Sequence, residues 1–246
     1  MKTFIDNNFL LHSKTAQELY HKHAARMPVI DYHCHLDPRA IYEDTRYENI
    51  TKAWLLSDHY KWRLMRNAGV DESWITGKAG DWEKFEAFAE VLPQTIGNPI
   101  YHWTHLELQR YFDCRETLND VSAHKIWEHC NERLRQDPDL SVRGIIKQSN
   151  VEVIVTTDDP IDTLEWHTKL QNDPSFTSKI LPGFRPDKAV DIRATGYKDY
   201  INRLSEASDI SIDGIISLKQ ALGSRIDYFF SHTRTNSKLC QCECAG

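Results

Sequence analysis

The sequence predicts an α/β protein built on a parallel sheet. Three short runs, at 29–35, 151–157 and 179–184, are rich in β-branched or apolar residues, as strands are. The segments after the second and third runs have helical periodicity, and strands that alternate with helices pair in parallel. The carboxyl ends of such strands meet at one edge of the sheet, where α/β enzymes place their catalytic side chains.

Helices account for most of the remaining residues. Ser13 is the predicted N-cap of a helix over 13–26, which Pro28 ends. Residues 38–139 contain no good strand and predict a helical insertion after the first strand. The predicted helices within and after it cover 50–68, 81–92, 101–112, 123–136, 142–149, 162–171, 197–207 and 217–229. Most tryptophans of the insertion (Trp54, Trp62, Trp82, Trp103 and Trp127) are expected to pack between helices.

Composition narrows the class of protein. The 246 residues are 40% hydrophobic and 27% charged, with a formal net charge of -6. The chain has no lysine- or arginine-rich block, which argues against a nucleic-acid or anionic membrane partner. No apolar run approaches the roughly 18 residues of a membrane span, and the N-terminus lacks the apolar core of a signal peptide. We therefore expect a cytoplasmic protein, and the net charge does not argue against a small anionic substrate.

His33 and His35 are the most informative residues. They follow a β-branched run, and alternate residues of a strand point to the same face. Two imidazoles at the end of a strand suit a divalent metal such as Zn, Fe, Ni or Cu, and a site with few protein ligands leaves positions open for substrate. The alternative is a pair of unrelated polar residues. Cys34 points the other way and is not a candidate nucleophile.

Other candidates stand at the later strand ends and in the insertion. Asp158 and Asp159 suit metal ligands or an acid/base pair, but a cap for a helix that begins near Pro160 is favoured. Arg185 follows the third strand and suits a substrate carboxylate, or else a surface pair with Asp187. Tyr60 suits proton transfer if a metal or arginine lowers its pKa, although its segment also fits a charged helix face.

Five motifs resemble the uronate (glucuronate) isomerase family, a branch of the amidohydrolase-like metal enzymes. They are DYHCHL at 31–36, DHYKWR at 58–63, GNP at 97–99 with HWTHLEL at 102–108, TTDDP at 156–160 and LPGFRPD at 181–187. His-x-His alone indicates only the superfamily. The insertion motifs and the third strand end are specific to the isomerases, and the resemblance extends over about residues 2–230.

The resemblance implies a (β/α)8 TIM barrel with a helical insertion after the first strand. It implies interconversion of D-glucuronate with D-fructuronate, and of D-galacturonate with D-tagaturonate, through an enediol. His33 and His35 would hold a divalent metal, by expectation Zn, that polarises the substrate oxygens. Tyr60 corresponds to a residue that assists proton transfer, and Arg185 to one that contacts the hexuronate substrate.

The chain departs from the family in two respects. Only three strands are readable where a closed barrel needs eight. We therefore expect 1–230 to be the first part of a barrel, inactive alone, with an open strand edge that favours aggregation or assembly into a homo-oligomer. Residues 231–246 break from the family pattern and contain Cys240, Cys242 and Cys244. A frameshift is the favoured explanation, and a genuine short variant with a thiol-rich tail is the alternative. A metal-dependent hydrolase of the same superfamily and a non-catalytic remnant are the alternative functions.

Overall fold

A computed structural model describes residues 4–233 of the chain. Within these residues the strands are β1 (Val29–Asp31), β2 (Val151–Val155) and β3 (Lys179–Leu181). The α-helices are α1 (Lys14–Lys22), α2 (Pro38–Tyr42), α3 (Ile50–Trp54), α4 (His59–Asn67), α5 (Asp81–Val91), α6 (Pro99–Phe112), α7 (Ala123–Gln136), α8 (Val142–Gln148), α9 (Glu165–Gln171), α10 (Asp187–Val190), α11 (Tyr197–Ser208) and α12 (Ile215–Thr233).

The chain divides into two units. Of the described residues, the helical unit takes 4–27 and 45–148, and the sheet unit takes 28–44 and 149–233. The segment between β1 and β2 is helical throughout, and the boundaries 38–139 for an insertion stay a prediction. The predicted tail at 231–246 lies mostly outside the described residues, while 231–233 complete α12. None of the described helices combines the length and apolar character needed to cross a membrane.

The sheet unit contains a parallel sheet in the order β1-β2-β3, which confirms the predicted α/β class. Ile30 of β1 pairs with Val153 of β2, and Ile154 of β2 pairs with Ile180 of β3. Each strand is shorter than predicted, because regular pairing stops where the chain turns away at the carboxyl edge. An isolated parallel bridge between Asp158 and Phe184 continues the contact beyond β2 and β3.

The helical unit has its own aromatic core. Phe85 and Phe88 of α5 are fully buried, and the ring of Trp54 stacks on Phe85 with centroids 6.3 Å apart. The tryptophan prediction is confirmed for Trp54, Trp62, Trp82 and Trp127, which all belong to this core. Trp103 is more than half exposed and lies outside it.

Some predicted elements are wrong in their bounds. The helix predicted over 50–68 is two helices, because the Asp58 carboxylate accepts the amides of Tyr60 and Lys61 and starts α4 anew. The indole of Trp62 then donates to the Leu55 carbonyl at 2.7 Å, which holds the intervening turn. Similarly, the helix predicted over 162–171 begins only at Glu165.

Candidate functional site

His33 and His35 lie together at the carboxyl end of β1. Both side chains are exposed, and their ring centroids are 5.1 Å apart with the planes nearly perpendicular. Between them, the Cys34 amide donates to the Val155 carbonyl at 3.0 Å, and the Thr157 hydroxyl donates to the Cys34 carbonyl. These bonds fix the backbone of the pair to the end of β2. The structure thus brings the two predicted ligands side by side beyond the strand itself.

The thiol between the two histidines is a poor nucleophile. Cys34 is partly buried, and burial raises the pKa of its thiol, with smaller contributions from Asp31 and Asp158. The thiolate, which is the reactive form, is therefore disfavoured near neutral pH. Cys34 ties the loop to the sheet through its backbone.

The donor set at the histidine pair has two members. Among residues 4–233, no three His, Cys, Asp or Glu side chains gather closely enough to hold a metal ion. Zinc sites that act on substrates usually have three protein ligands, with a further position open. The two imidazoles fit as part of such a set, and the described chain does not complete it.

A buried polar cluster closes the ends of β2 and β3. The Thr156 hydroxyl lies 2.7 Å from Oδ2 of Asp158 and 2.7 Å from Nε2 of His167, and all three residues are buried. The same Asp158 oxygen accepts the Gly183 amide at 3.0 Å. Since the hydroxyl has one proton to donate to the carboxylate, it accepts from a protonated Nε2 of a neutral His167.

His167 is held neutral by its surroundings. Burial lowers the pKa of its imidazole, the Asp158 carboxylate acts in the opposite direction, and His232 lowers the pKa further. Nε2 of His167 is 3.7 Å from Oδ2 of Asp158, which is beyond hydrogen-bond distance, so the hydroxyl of Thr156 mediates their contact. In this cluster the carboxylate of Asp158 is therefore surrounded by uncharged groups, which are the Thr156 hydroxyl, the Gly183 amide and the His167 imidazole.

The capping prediction for Asp158 and Asp159 is wrong, because no helix begins near Pro160. Asp158 instead joins β2 to β3. Asp159 accepts the Tyr200 hydroxyl at 2.8 Å and pairs with Lys188 at 3.1 Å. Burial and this hydrogen bond to Asp159 raise the pKa of Tyr200. Both aspartates thus organise the loop after β2.

Arg185 lies just beyond β3, as predicted. Its amide donates to the Asp158 carbonyl at 2.9 Å, which places its backbone on the polar cluster. Its guanidinium is exposed and pairs with the exposed carboxylate of Asp187. The surface pair anticipated as the alternative is therefore present in this structure. Exposed pairs of this kind contribute little to stability, so a ligand can displace Asp187 at small cost.

Tyr60 lies in the helical unit, in the first turn of α4. Its side chain is about half exposed (56%), its ring centroid is 4.5 Å from that of His59, and the Arg63 guanidinium carbon is 5.8 Å from the ring centroid. Asp58 fixes the Tyr60 amide and also binds the Lys61 ammonium at 2.6 Å. Tyr60 is thus presented at a helix start that an ion pair secures.

Asp58, Glu107 and His167 are further polar groups, and the sequence pattern did not single out the last two. Burial tends to raise the pKa of Asp58, but Lys61 and the capped amides outweigh it and lower the pKa overall. Burial raises the pKa of Glu107, which is the acidic residue of α6. His167 gave no sequence signal, because one histidine in an amphipathic helix is usually a surface or core residue. Glu107 had a weak signal, as the one acid of α6.

A parallel sheet with polar side chains at its carboxyl edge is typical of α/β enzymes. The comparisons with known proteins agree with that class. The model of the glucuronate isomerase family matches residues 1–240. The uronate isomerase of Lachnospira eligens is 54% identical over 231 residues, and that of Oceanobacillus iheyensis is 56% identical over 229 residues. The chain belongs to the uronate isomerase family, a family of isomerase enzymes.

Solved structures show the same fold. The crystal structure of a uronate isomerase from Thermotoga maritima matches 94% of this chain with a TM-score of 0.85 and 32% identity. A glucuronate isomerase from Caulobacter crescentus matches 84% of it with a TM-score of 0.77, and at 21% identity it supports the fold alone. The chain spans about half the length of its relatives: 49% and 48% of the two curated proteins and 50% of the Thermotoga maritima chain.

We expect Gly183→Ala to destabilise the protein. A Cβ at Gly183 would lie 2.2 Å from the Thr156 carbonyl oxygen, which is backbone and cannot rotate away. Overpacking of this kind lowers the free energy of unfolding by about 1–3 kcal/mol, measurable by urea denaturation.

Gly223→Ala in α12 is the matched control. An added Cβ there meets no atom within 4 Å, and alanine favours a helix by up to about 1 kcal/mol. Equal effects of the two substitutions would contradict the close approach of the strand ends.

We expect stability to fall as the pH drops from 7.5 to 5.5. Because His167 has a lowered pKa in the folded state, the unfolded chain binds more protons once the pH falls below the ordinary histidine value of about 6.5. His167→Gln should reduce this loss, measured as the urea midpoint at both pH values.

Part of the pH dependence should remain in the variant, because burial also lowers the pKa of His105 in the helical unit. Replacement of the exposed His12 by Gln is the control and should leave the dependence intact. An unchanged pH dependence in His167→Gln would show that His167 is not held neutral.

Proposed function

We propose that the chain supplies the first half of the active site of a uronate isomerase. The reaction is the aldose–ketose interconversion of D-glucuronate with D-fructuronate, and of D-galacturonate with D-tagaturonate. The observation that carries the proposal is the pair of adjacent imidazoles at the carboxyl end of β1, in a chain that belongs to the family. The same family membership leaves the hydrolase alternative without support.

The histidine pair would provide two ligands to a divalent metal, for which Zn is the candidate. Neutral imidazole is a good zinc ligand, and both rings are exposed and adjacent. A bound metal would supply Lewis-acid polarisation of the carbonyl and hydroxyl oxygens of the substrate. With two ligands in the described chain, metal affinity should be weaker than that of a complete site.

Arg185 is the proposed contact for the uronate carboxylate. Its guanidinium is exposed at the carboxyl end of β3 and already pairs with a carboxylate, that of Asp187. A guanidinium forms bidentate bonds with planar carboxylates, which selects an acid sugar over a neutral one. The backbone bond from Arg185 to Asp158 would keep the side chain at the strand end while Asp187 is exchanged for substrate.

Tyr60 is the proposed participant in proton transfer. The reaction removes a proton from C2 of the aldose, forms an enediol and returns the proton at C1. A phenol next to a second titratable ring, that of His59, suits the donation and acceptance of protons between oxygens of the enediol. The capped helix start and the buried Lys61 would hold the phenol in one orientation.

The proposed architecture is the first part of a (β/α)8 barrel. Three parallel strands in sequential order agree with it, and eight strands would close it. The chain alone lacks a complete ligand set among its described residues, so we expect it to be inactive alone. Assembly of several copies into an active oligomer is the outcome that would overturn this expectation.

The proposed function is tested with one covalent chain that joins residues 1–230 to the second half of the Oceanobacillus iheyensis uronate isomerase. We expect this chimera to convert D-glucuronate, while the 246-residue chain with added Zn does not. Tyr60→Phe should lower the turnover number, and Arg185→Ala should raise the KM for uronate. A soluble, folded chimera without turnover would refute the proposed function.

Zinc binding to the 246-residue chain is a second test. In a background with Cys240, Cys242 and Cys244 replaced by Ser, His33→Asn and His35→Asn should each weaken zinc binding by about tenfold or more, measured by chelator competition. His12→Asn is the matched control and should have no effect. Equal affinities in all three variants would exclude the histidine pair as ligands.

A further inference from the structure

A buried arginine of α12 binds the loop that follows β2. Arg225 is only 7% exposed. Its Nε donates to the Pro160 carbonyl at 2.6 Å, one terminal nitrogen donates to the Asp162 carbonyl at 2.8 Å, and the other donates to the Ala207 carbonyl near the end of α11 at 3.0 Å. These three main-chain oxygens compensate a charge whose burial would otherwise be unfavourable.

Tyr228 extends this contact. It lies three residues after Arg225, and the central carbon of the guanidinium is 3.9 Å from the centroid of its ring. The Tyr228 hydroxyl donates to the Thr163 carbonyl at 2.6 Å. Stacking on an aromatic ring fixes the plane of the guanidinium, so its N–H groups are directed at the loop. One side of α12 therefore binds three carbonyls of the loop, those of Pro160, Asp162 and Thr163.

The same side of α12 also supports the end of β3. Phe229 is 3% exposed and packs edge-to-face against Phe184, with the ring centroids 5.2 Å apart. Phe184 precedes Arg185 and forms the isolated parallel bridge with Asp158. Because Arg225 and Phe229 are four residues apart, their side chains project from one side of the helix. The helix thus contacts the segments after β2 and after β3 at the same time.

The two segments meet at the Asp158 carbonyl. That oxygen accepts the Arg185 amide at 2.9 Å, and the Asp158 amide donates to the Gly183 carbonyl at 2.8 Å. Pro160, whose carbonyl binds Arg225, follows Asp158 by two residues. A shift of the loop after β2 would therefore move the acceptor that holds the backbone of Arg185.

We propose that Arg225 is a positioning residue of the substrate site, which fixes the loop after β2 so that Arg185 meets the uronate carboxylate in one orientation. The inference rests on the proposed function in one respect, namely that Arg185 contacts the substrate. It requires the guanidinium itself, because an ammonium is a compact point charge and cannot replace a planar fork that binds three carbonyls. Arg225→Lys keeps the charge and removes the fork.

Hydrogen exchange of the 246-residue chain tests the positioning directly. In Arg225→Lys, the backbone amides of 158–164 and 181–187 should exchange about tenfold faster or more, because loss of hydrogen bonds to a charged group lowers the local free energy of opening. Helix α6 of the helical unit should exchange as before. Arg193→Lys, the same replacement at an exposed arginine of the sheet unit, is the matched control and should change neither segment.

The kinetic test uses the chimera with the second half of the Oceanobacillus iheyensis uronate isomerase. Arg225→Lys should raise the KM for D-glucuronate by about tenfold and leave the turnover number within about twofold, as expected when binding common to the ground state and the transition state is lost. In an Arg185→Ala background, Arg225→Lys should have no further effect on KM, because the contact that it positions is already absent. A general structural role would lower activity in both backgrounds.

Three results would overturn the inference. The first is unchanged exchange of 158–164 and 181–187 in Arg225→Lys. The second is exchange that is faster by the same factor throughout the sheet unit, which would give Arg225 a general role in stability. The third is an equal effect of Arg225→Lys on KM in the presence and in the absence of the Arg185 guanidinium.

A milder variant keeps the inference testable if Arg225→Lys does not fold. Tyr228→Phe retains the ring and removes only the bond from its hydroxyl to the Thr163 carbonyl. It should accelerate exchange of 158–164 by a smaller factor, and unchanged exchange would count against the inference. Locally faster exchange in the chain, together with a chimera that has no turnover, would show that α12 holds the backbone of Arg185 while the proposed activity is refuted, so the two failures are distinguishable.

Discussion

The sheet unit depends on how closely the ends of β2 and β3 approach each other. Only a glycine fits at position 183, because the Thr156 carbonyl occupies the space that a side chain would need. That approach lets a single buried carboxylate, Asp158, accept both the Gly183 amide and the Thr156 hydroxyl. The backbone of Asp158 then binds Gly183 and Arg185. The position of Arg185 is therefore a consequence of packing between two strands.

The side chains proposed to bind metal and substrate are exposed, whereas the polar side chains that support them are buried. His33, His35 and Arg185 are exposed to solvent. Asp158 and His167 are buried, and burial keeps His167 neutral. Buried polar groups that are fully hydrogen-bonded make a site rigid, whereas exposed side chains are accessible to a ligand. The arrangement is that of a rigid support with adaptable side chains at its surface.

The sequence predicted best where one local signal decided the structure. Ser13 caps α1 through its hydroxyl, and α7 has the predicted bounds Ala123–Gln136. Prediction failed where two signals competed. Apolar periodicity over 50–68 favours one helix, but the Asp58 carboxylate offers two amides a better acceptor and starts another. The adjacency of His33 and His35 followed from their spacing, whereas the role of Asp158 required knowledge of β3, which lies more than 20 residues away in sequence.

The pairing of Val29 with Val151 has a consequence for the order in which the chain acquires structure. About 120 residues separate these partners, and a flexible loop of that length is closed only against a substantial loss of entropy. The intervening helices form a core of their own, with members from Ile50 to Leu140. Once that core has condensed, the two strands are joined by a compact body instead of a random coil. Helix formation between β1 and β2 thus lowers the entropic barrier to forming the sheet.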